Sequence, residues 1–364
     1  MRQSGLNVSV AALLLLQLVL LLTVGALAQQ HDFPPEQVIV NLDLPPKQRW
    51  TQVATKYSAQ IQATVNFLKQ LIPMHDLVLP VANVIGADID NYLPMPYSDE
   101  IRGVAEAARI TLGEAVLCNI IYDITSFCTS IVAQMGNGTI IHARNLDYGP
   151  LQGVLRNMTI EVFFQTNGST LFYGTTFAGY TGILTGVRPN VFGVTINERD
   201  MGNILENALQ ALLKKEAVPL SFMLRDALAN DTVTFESAVR FYSRTQLIAP
   251  VYVIVSGTQP GEGVVITRDR QYILDIWRLD PAAQSWYVVE TNSDNWNPGQ
   301  DIRLETAHKS LDALGPNGIN PYSIYQVLST APVLNNGTVY TTVMSASHPE
   351  WFSTMVRLDI PPYP

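Results

Sequence analysis

The amino-acid sequence predicts an α+β protein in which two packed sheets are covered by helices, with a further helical piece on the N-terminal side. Three observations carry this. Before Cys128 the apolar residues recur at three- and four-residue spacing, the period of helices. After it they fall into short runs separated by turn signals, the period of strands. Blocks of helix interrupt those runs, as expected where sheets need covering. The helical block before Cys128 shows no strand of its own to cover, so it must pack on the body that follows.

The elements follow in order. After the Pro-rich lead Pro34-Pro35 and Pro45-Pro46, Trp50, Val53, Tyr57, Ile61, Val65 and Leu68 mark one helix from Lys47 to Leu71. Leu77 to Gly86 is very apolar but interrupted by Pro80. Helices follow over Asp99–Ile110 and Leu112–Tyr122, the second opened by the capping box Thr111-Leu112-Gly113-Glu114. Thr129–Gln134 and Thr139–Asn145 flank the turn Gly136-Asn137-Gly138 and read as a hairpin. Strands are expected at Thr159–Phe164, Thr170–Thr175, Gly182–Val187 and Val191–Ile196. A helical block runs from Ile204 to Phe241, broken near Pro219 and Asn230. Strands at Val251–Val255, Gly263–Thr267, Tyr272–Trp277 and Trp286–Glu290 come next. Helices at Asp301–Ala313 and Pro321–Leu328 and strands at Thr338–Met344 and Met355–Leu358 close the chain.

With 364 residues, 47% hydrophobic and 15% charged, the chain can bury a large core. Its net charge is −9 and no basic run exceeds Lys214-Lys215, so nothing would neutralise a phosphate backbone and nucleic acid is excluded as a partner. Residues 1–28 read as a secretory signal: Arg2, an apolar run from Val8, and the small-residue exit Ala26-Leu27-Ala28. An uncleaved anchor is the alternative, because the run nears spanning length. The mature protein is expected to be soluble and luminal. Five sequons follow, at Asn137, Asn157, Asn167, Asn230 and Asn336. Cys118 and Cys128 are the two cysteines, so no disulfide framework holds the chain.

No nucleophile elbow, zinc-protease motif, phosphate loop or Cys-x-x-Cys occurs, and the five histidines are scattered. Asp88-Ile89-Asp90-Asn91 starts like a calcium loop but lacks its Gly and Glu. No metal and no cofactor is expected. Cys128 remains. A cysteine opening a strand is ordinarily a buried apolar residue. Here it stands among Ser126, Thr129 and Ser130, and the hairpin returns Arg144 and Asp147 beside it. An Arg beside sulfur favours the thiolate. A nucleophile without a side-chain base can use its own α-amine once a chain cut has freed it. Taken alone, Arg144 and Asp147 are an ordinary ion pair, Asn292 a turn residue and Glu198 a solvated charge.

The stretches Cys128-Thr129-Ser130-Ile131-Val132-Ala133-Gln134 and His142-Ala143-Arg144-Asn145-Leu146-Asp147-Tyr148 resemble the acid ceramidase / N-acylethanolamine-hydrolysing acid amidase family. Ile101-Arg102-Gly103, Asn197-Glu198-Arg199-Asp200, Val264 to Arg268, Glu290-Thr291-Asn292, Asn335-Asn336 and Tyr340 to Ala346 extend the likeness over the mature chain. The resemblance implies a four-layer αββα N-terminal-nucleophile hydrolase. It implies autoproteolysis between Phe127 and Cys128 into a helical alpha subunit, 29–127, and a catalytic beta subunit, 128–364. With Cys128 catalytic, those subunits have no disulfide between them. The roles implied are Cys128 as nucleophile and, through its amine, base; Arg144 and Asp147 holding sulfur and amine; Asn292 donating to the oxyanion; and Glu198 tied to activity without a defined role. Gln134 and the closing Tyr340–Ala346 segment resemble the ethanolamide-cleaving branch more than ceramidases. A lipid amide substrate and a lysosomal or secreted location follow. Leu77–Ile85 and the Ile204–Lys215 helix are the segments that could make transient membrane-surface contact, although a helix of that pattern more often simply covers a sheet. The alternatives are a ceramidase and an inactive lipid-binding glycoprotein.

Overall fold

The computed structural model describes residues 31–71, 75–121, 127–199 and 217–360. The expected signal segment and the Ile204–Lys215 helix lie outside them. The body is built on two sheets. One has five strands in the order β11-β2-β3-β12-β13. They are β2 (Phe127–Gln134), β3 (Ile140–Asp147), β11 (Tyr287–Glu290), β12 (Thr338–Met344) and β13 (Ser353–Val356). The other has eight strands, β1-β4-β5-β6-β7-β8-β9-β10. They are β1 (Glu36–Asn41), β4 (Thr159–Thr166), β5 (Ser169–Phe177), β6 (Thr185–Arg188), β7 (Phe192–Glu198), β8 (Val251–Ser256), β9 (Gly263–Arg268) and β10 (Ile273–Arg278).

Side-chain alternation assigns each strand face to a layer. Val132, Ile140, Tyr252, Ile254, Val265 and Val288 meet between the sheets. Ile131, Ala133, Ile141 and Ala143 point the other way, onto α10 (Ile302–Gly318) and α11 (Pro321–Leu328). Val253, Val255, Val264 and Ile266 point outward from the larger sheet, in one cluster with Phe235, Val239 and Tyr242 of α9 (Phe235–Arg244) and Leu224 of α8 (Leu220–Ala229). The result is a helix–sheet–sheet–helix stack, the predicted α+β architecture. A polar seam also crosses between the sheets. His142 bonds Thr195 (2.9 Å) and Ser256 (3.0 Å), and Ser130 bonds Thr195 (3.0 Å) and Asn197 (2.8 Å).

The N-terminal piece differs from its expected form in two ways. It is not all helix: β1 pairs in parallel with β4, Glu36 opposite Ile160 through Asn41 opposite Gln165. A parallel partner so far along the chain leaves no local signature, which is why the sequence does not reveal this strand. The single helix expected over Lys47–Leu71 is three pieces: a 3-10 turn at Pro46–Gln48, α1 (Thr51–Lys56) and α2 (Ser58–Leu71). Tyr57 leaves helical geometry between the last two (φ −96°, ψ 14°) while the apolar period runs on unbroken across it. Beyond them lie α3 (His75–Ala87), α4 (Ile89–Tyr92), α5 (Tyr97–Ala108) and α6 (Leu112–Ile121), with α7 (Gln152–Arg156) between β3 and β4. The capping box before α6 forms as expected, Glu114 N donating to Thr111 Oγ1 and Thr111 N to Glu114 Oε2. Gly103 of α5 is required where it stands, since a Cβ there would lie 1.9 Å from the Lys47 carbonyl oxygen.

The piece is seated on the body by one apolar cluster that includes Trp50, Ile61 and Val104 on one side and Ile160, Phe164 and Phe172 on the other. Within it Glu100 is fully buried and accepts from Trp50 Nε1 (2.8 Å), Arg49 Nη1 (3.0 Å) and both terminal nitrogens of Arg225, one at 2.8 Å. Cys118 and Cys128 are both buried, and no disulfide joins them. Burial pushes the Cys118 thiol up to about 12, so it is inert. Among the described residues no helix is long and apolar enough to cross a membrane.

Candidate active site

Phe127 and Cys128 open β2, and the step between them crosses the protein surface: Phe127 is 52% exposed and Cys128 0%. The register with β3 places Phe127 opposite Asp147, Cys128 opposite Leu146 and Ser130 opposite Arg144. Cys128 and Arg144 are therefore diagonal neighbours on the face between the sheets. Arg144 Nη2 donates directly to Cys128 Sγ. Its Nη1 reaches across to the larger sheet, donating to the Leu184 carbonyl (3.1 Å) and Thr185 Oγ1 (3.4 Å). Arg144 is 0% exposed, and its charge also acts on the buried Asp147 carboxyl. A buried guanidinium donating to sulfur favours the thiolate over the thiol. Tyr340, opposite Leu146 on β12, donates or accepts with Thr185 Oγ1 at 2.9 Å, and burial pushes its phenol up to about 12.

The backbone of Cys128 is gripped separately. Its N–H donates to Asn292 Oδ1 (2.9 Å), and its carbonyl accepts from Arg303 Nη1 (3.3 Å). Arg303 Nη2 also donates to Asn292 Oδ1 (3.2 Å). Two donors converge on that atom, which fixes it as the oxygen of the amide. Asn292 Nδ2 then donates to the Glu198 carbonyl (2.8 Å) at the end of β7. So in the intact chain Asn292 offers Cys128 an acceptor, and its donor is engaged elsewhere. The oxyanion role expected for it requires the amide to be released first.

Asp147 lies at the same end of the hairpin, buried, with Oδ2 accepting from Asn335 Nδ2 (2.9 Å) and 3.8 Å from Arg303 Nη1. Its Oδ1 has no hydrogen-bond partner. Burial pushes its pKa up, against the pull of Thr338, Asn335, Arg303 and Arg144. The Cys128 N–H that Asp147 was expected to hold goes to Asn292 while the chain is uncut. His142, the histidine nearest in sequence, is closed into the polar seam and held down at about 3 by burial and then by Arg144, so it is a neutral structural residue.

Cys128, Arg144, Asp147 and Asn292 thus come together with the Glu198 carbonyl. Two further residues at the site take no role from the sequence, although Asn335 lies in a stretch that carries the resemblance. Arg303 bridges Cys128, Asn292 and Asp147 and is braced by Asp301 (2.8 Å). Asn335 orients Asp147. A helical Arg in the first turn looks like any solvated charge, so periodicity could not single out Arg303. Among the described residues no cluster suited to a metal occurs.

Residues 128–321 match the family model described as linear amide C–N hydrolases, choloylglycine hydrolase family, a match that begins at the nucleophile candidate itself. The chain belongs to the linear amide C–N hydrolases. Residues 33–93 of this amide hydrolase match a second model, described as the beta subunit of N-acylethanolamine-hydrolyzing acid amidase; that description applies the word beta to the stretch called alpha above. The amide hydrolase is 43% identical over 322 residues to N-acylethanolamine-hydrolyzing acid amidase of Mus musculus, covering 87% of this chain and 88% of that one. It is 38% identical over 338 residues to acid ceramidase of Bos taurus, covering 87% and 85%. A solved Caenorhabditis elegans N-acylethanolamine-hydrolyzing acid amidase ortholog superposes with a TM-score of 0.59 at 44% identity. It is covered completely by 63% of this chain.

Proposed function

We propose that this protein is a lysosomal amidase that hydrolyses N-acylethanolamines to fatty acid and ethanolamine, after cutting itself between Phe127 and Cys128. The observation that carries the reading is Cys128 Sγ held by the buried Arg144 guanidinium at the point where the chain passes from an exposed to a buried residue. In the first reaction Cys128 Sγ attacks the Phe127 carbonyl carbon, the C–N bond to Cys128 breaks, and the acyl group rests on sulfur. Water hydrolyses that thioester, leaving a Phe127 carboxylate and a free α-amine on Cys128. Residues 29–127 and 128–364 then remain together as a non-covalent pair.

The freed amine changes the hydrogen bonding. An α-ammonium replaces the amide N–H, and Asp147, with its unused Oδ1, becomes its counter-charge beside Asn292 Oδ1. In turnover Cys128 attacks the lipid amide carbonyl, the oxyanion is held by Asn292 once its amide is released, and ethanolamine leaves with a proton from the ammonium. Water, deprotonated by the amine, attacks the thioester and releases the fatty acid. Free thiols and α-amines titrate near roughly 8.5 and 8, so reactivity in an acidic lumen depends on Arg144 stabilising the thiolate.

The ethanolamide substrate is supported by the higher identity to the acid amidases than to the ceramidase. Ceramide hydrolysis is the second reading, favoured by that same ceramidase likeness. Membrane-surface contact belongs to the proposal too: α3 covers the expected Leu77–Ile85 stretch and leaves Val84 exposed while Ala82 and Ile85 are buried. The test is acid incubation of the purified chain followed by N-terminal sequencing, then kcat/KM for an N-acylethanolamine and for the ceramide with the same acyl chain. A large fragment beginning at Cys128 and a preference for the ethanolamide are expected. Full activity from an uncut chain defeats the nucleophile assignment, and a preference for ceramide defeats only the substrate.

A further inference from the structure

Glu290 is the last residue of β11 and stands opposite Ser130 of β2. Paired residues share a face, so its side chain enters the layer between the sheets, diagonal to Cys128. It is 2% exposed, and its Oε1 makes no hydrogen bond. The charged and titratable groups that face it are Asp294 in the following loop, Asp301 at the start of α10, Arg199 after β7 and Tyr252 on β8. Arg199 is already committed: its Nε and Nη2 each donate to Asp294 at 2.7 Å, and Tyr252 OH donates to the same carboxylate at 2.8 Å. Two carboxylates thus face Glu290 and the facing cation is engaged. A charge there would be buried against two carboxylates, with only the Thr291 N–H and the already engaged Arg199 to offset it among the described residues. Burial, reinforced by Asp294 and Asp301, holds the Glu290 carboxyl well above the usual carboxylate range.

The backbone of Glu290 leads straight to the site. Asn197 Nδ2 donates to the Glu290 carbonyl (2.7 Å) and the Thr291 carbonyl (2.8 Å), and the next residue is Asn292, which accepts from Cys128 N. Displacing the end of β11 therefore displaces the group that touches Cys128. We propose that Glu290 is a positioning residue: its uncharged carboxyl lets the end of β11 close between the sheets and seat Asn292 against Cys128, and its ionisation unseats it. The site is assembled while Glu290 holds its proton and loosens as pH rises through the value at which that proton is lost. Glu290 thereby helps set the alkaline limit of activity. The inference rests on the reading of Cys128 as nucleophile.

Glu290→Gln is neutral at every pH and nearly isosteric, so two measurements on the full chain decide the matter. In the first, the kcat/KM profile of the cut Glu290→Gln enzyme toward an N-acylethanolamine is compared with wild type. The alkaline limb should move to higher pH, raising activity on that limb about tenfold for each pH unit by which it moves. In the second, thermal unfolding of the uncut Cys128→Ala chain is followed from acid to neutral pH, with and without Glu290→Gln. A carboxyl with a raised folded-state pKa contributes stability that is lost as pH rises through that value, so the Gln chain should lose less. Superimposable profiles in both measurements overturn the proposal, as does a Gln variant that misfolds or is inactive at all pH values, because the neutral form is the one claimed to work. If wild type shows no amidase activity, the nucleophile reading fails while the unfolding comparison still judges Glu290.

Discussion

The proposed chemistry centres on Arg144, whose buried guanidinium donates to Cys128 Sγ and also acts on the charge of Asp147. Replacing it by Ala should raise the pH midpoint of Cys128 alkylation and stop both cutting and turnover; identical alkylation curves for mutant and wild type would count against the thiolate argument. His142 supplies a pH dependence of a different sign. Its folded-state value of about 3 lies below the ordinary 6.5, so it must stay neutral in the fold while the unfolded chain takes up a proton. The stability it supports is present above about 6.5 and is lost as pH falls toward 3, roughly 2 kcal/mol by about pH 5. His142→Gln should flatten the acid side of the unfolding curve, and an unchanged curve would show that the ring does become charged in place. Cys118 is the other buried cysteine, on α6. Its thiol is held up by burial on a helix, so Cys118→Ser should cost about 1 kcal/mol of stability and leave kcat/KM unchanged.

The hairpin of β2 and β3 is the element that makes the site, since its register alone brings Cys128, Arg144 and Asp147 to one end. That much is legible in the sequence: alternating residues around Gly136-Asn137-Gly138 specify both the turn and the faces. The larger helices and most strands are legible for the same reason, each having a period of its own. What fails to show are features that depend on distant partners. β1 gains its identity from β4, and Arg303 gains its role from the Cys128 carbonyl, Asn292 and Asp147 converging on it. The acceptor role of Asn292 is likewise invisible, because the orientation of an amide is set by its donors. α5 offers an element-scale test. Its Gly103 meets the Lys47 carbonyl so closely that Gly103→Ala must push α5 off the preceding turn, at a cost of about 2 kcal/mol in urea unfolding. An unchanged midpoint would mean the two segments can part freely.

At the scale of the whole molecule, the proposed cut between Phe127 and Cys128 raises the question of what would keep the two pieces together. The β1–β4 ladder, the Trp50–Phe164 edge contact and the tie between Asp32 and Arg357 (2.8 Å) all cross the divide. The buried charge on Glu100 is the contact least tolerant of loss. Arg225 approaches it from the body and also donates to the Thr181 carbonyl (2.8 Å), while its guanidinium lies 4.7 Å from the Phe164 ring centroid and 5.1 Å from that of Tyr97. Removing Arg225 alone leaves Glu100 buried with the Trp50 Nε1–H and the more peripheral Arg49, and breaking such a pair costs about 3–5 kcal/mol. Replacing both charges by neutral residues of similar size removes the unpaired ion and can be nearly neutral. Cut Arg225→Ala enzyme should therefore separate into its two pieces at clearly lower urea than wild type, read by size-exclusion chromatography. Cut Glu100→Gln/Arg225→Met enzyme should recover most of the difference. If Arg225→Ala separates at the wild-type concentration, the ion pair does not hold the pieces; if the double variant is as weak as the single one, the loss comes from packing around Arg225 and not from an orphaned charge on Glu100.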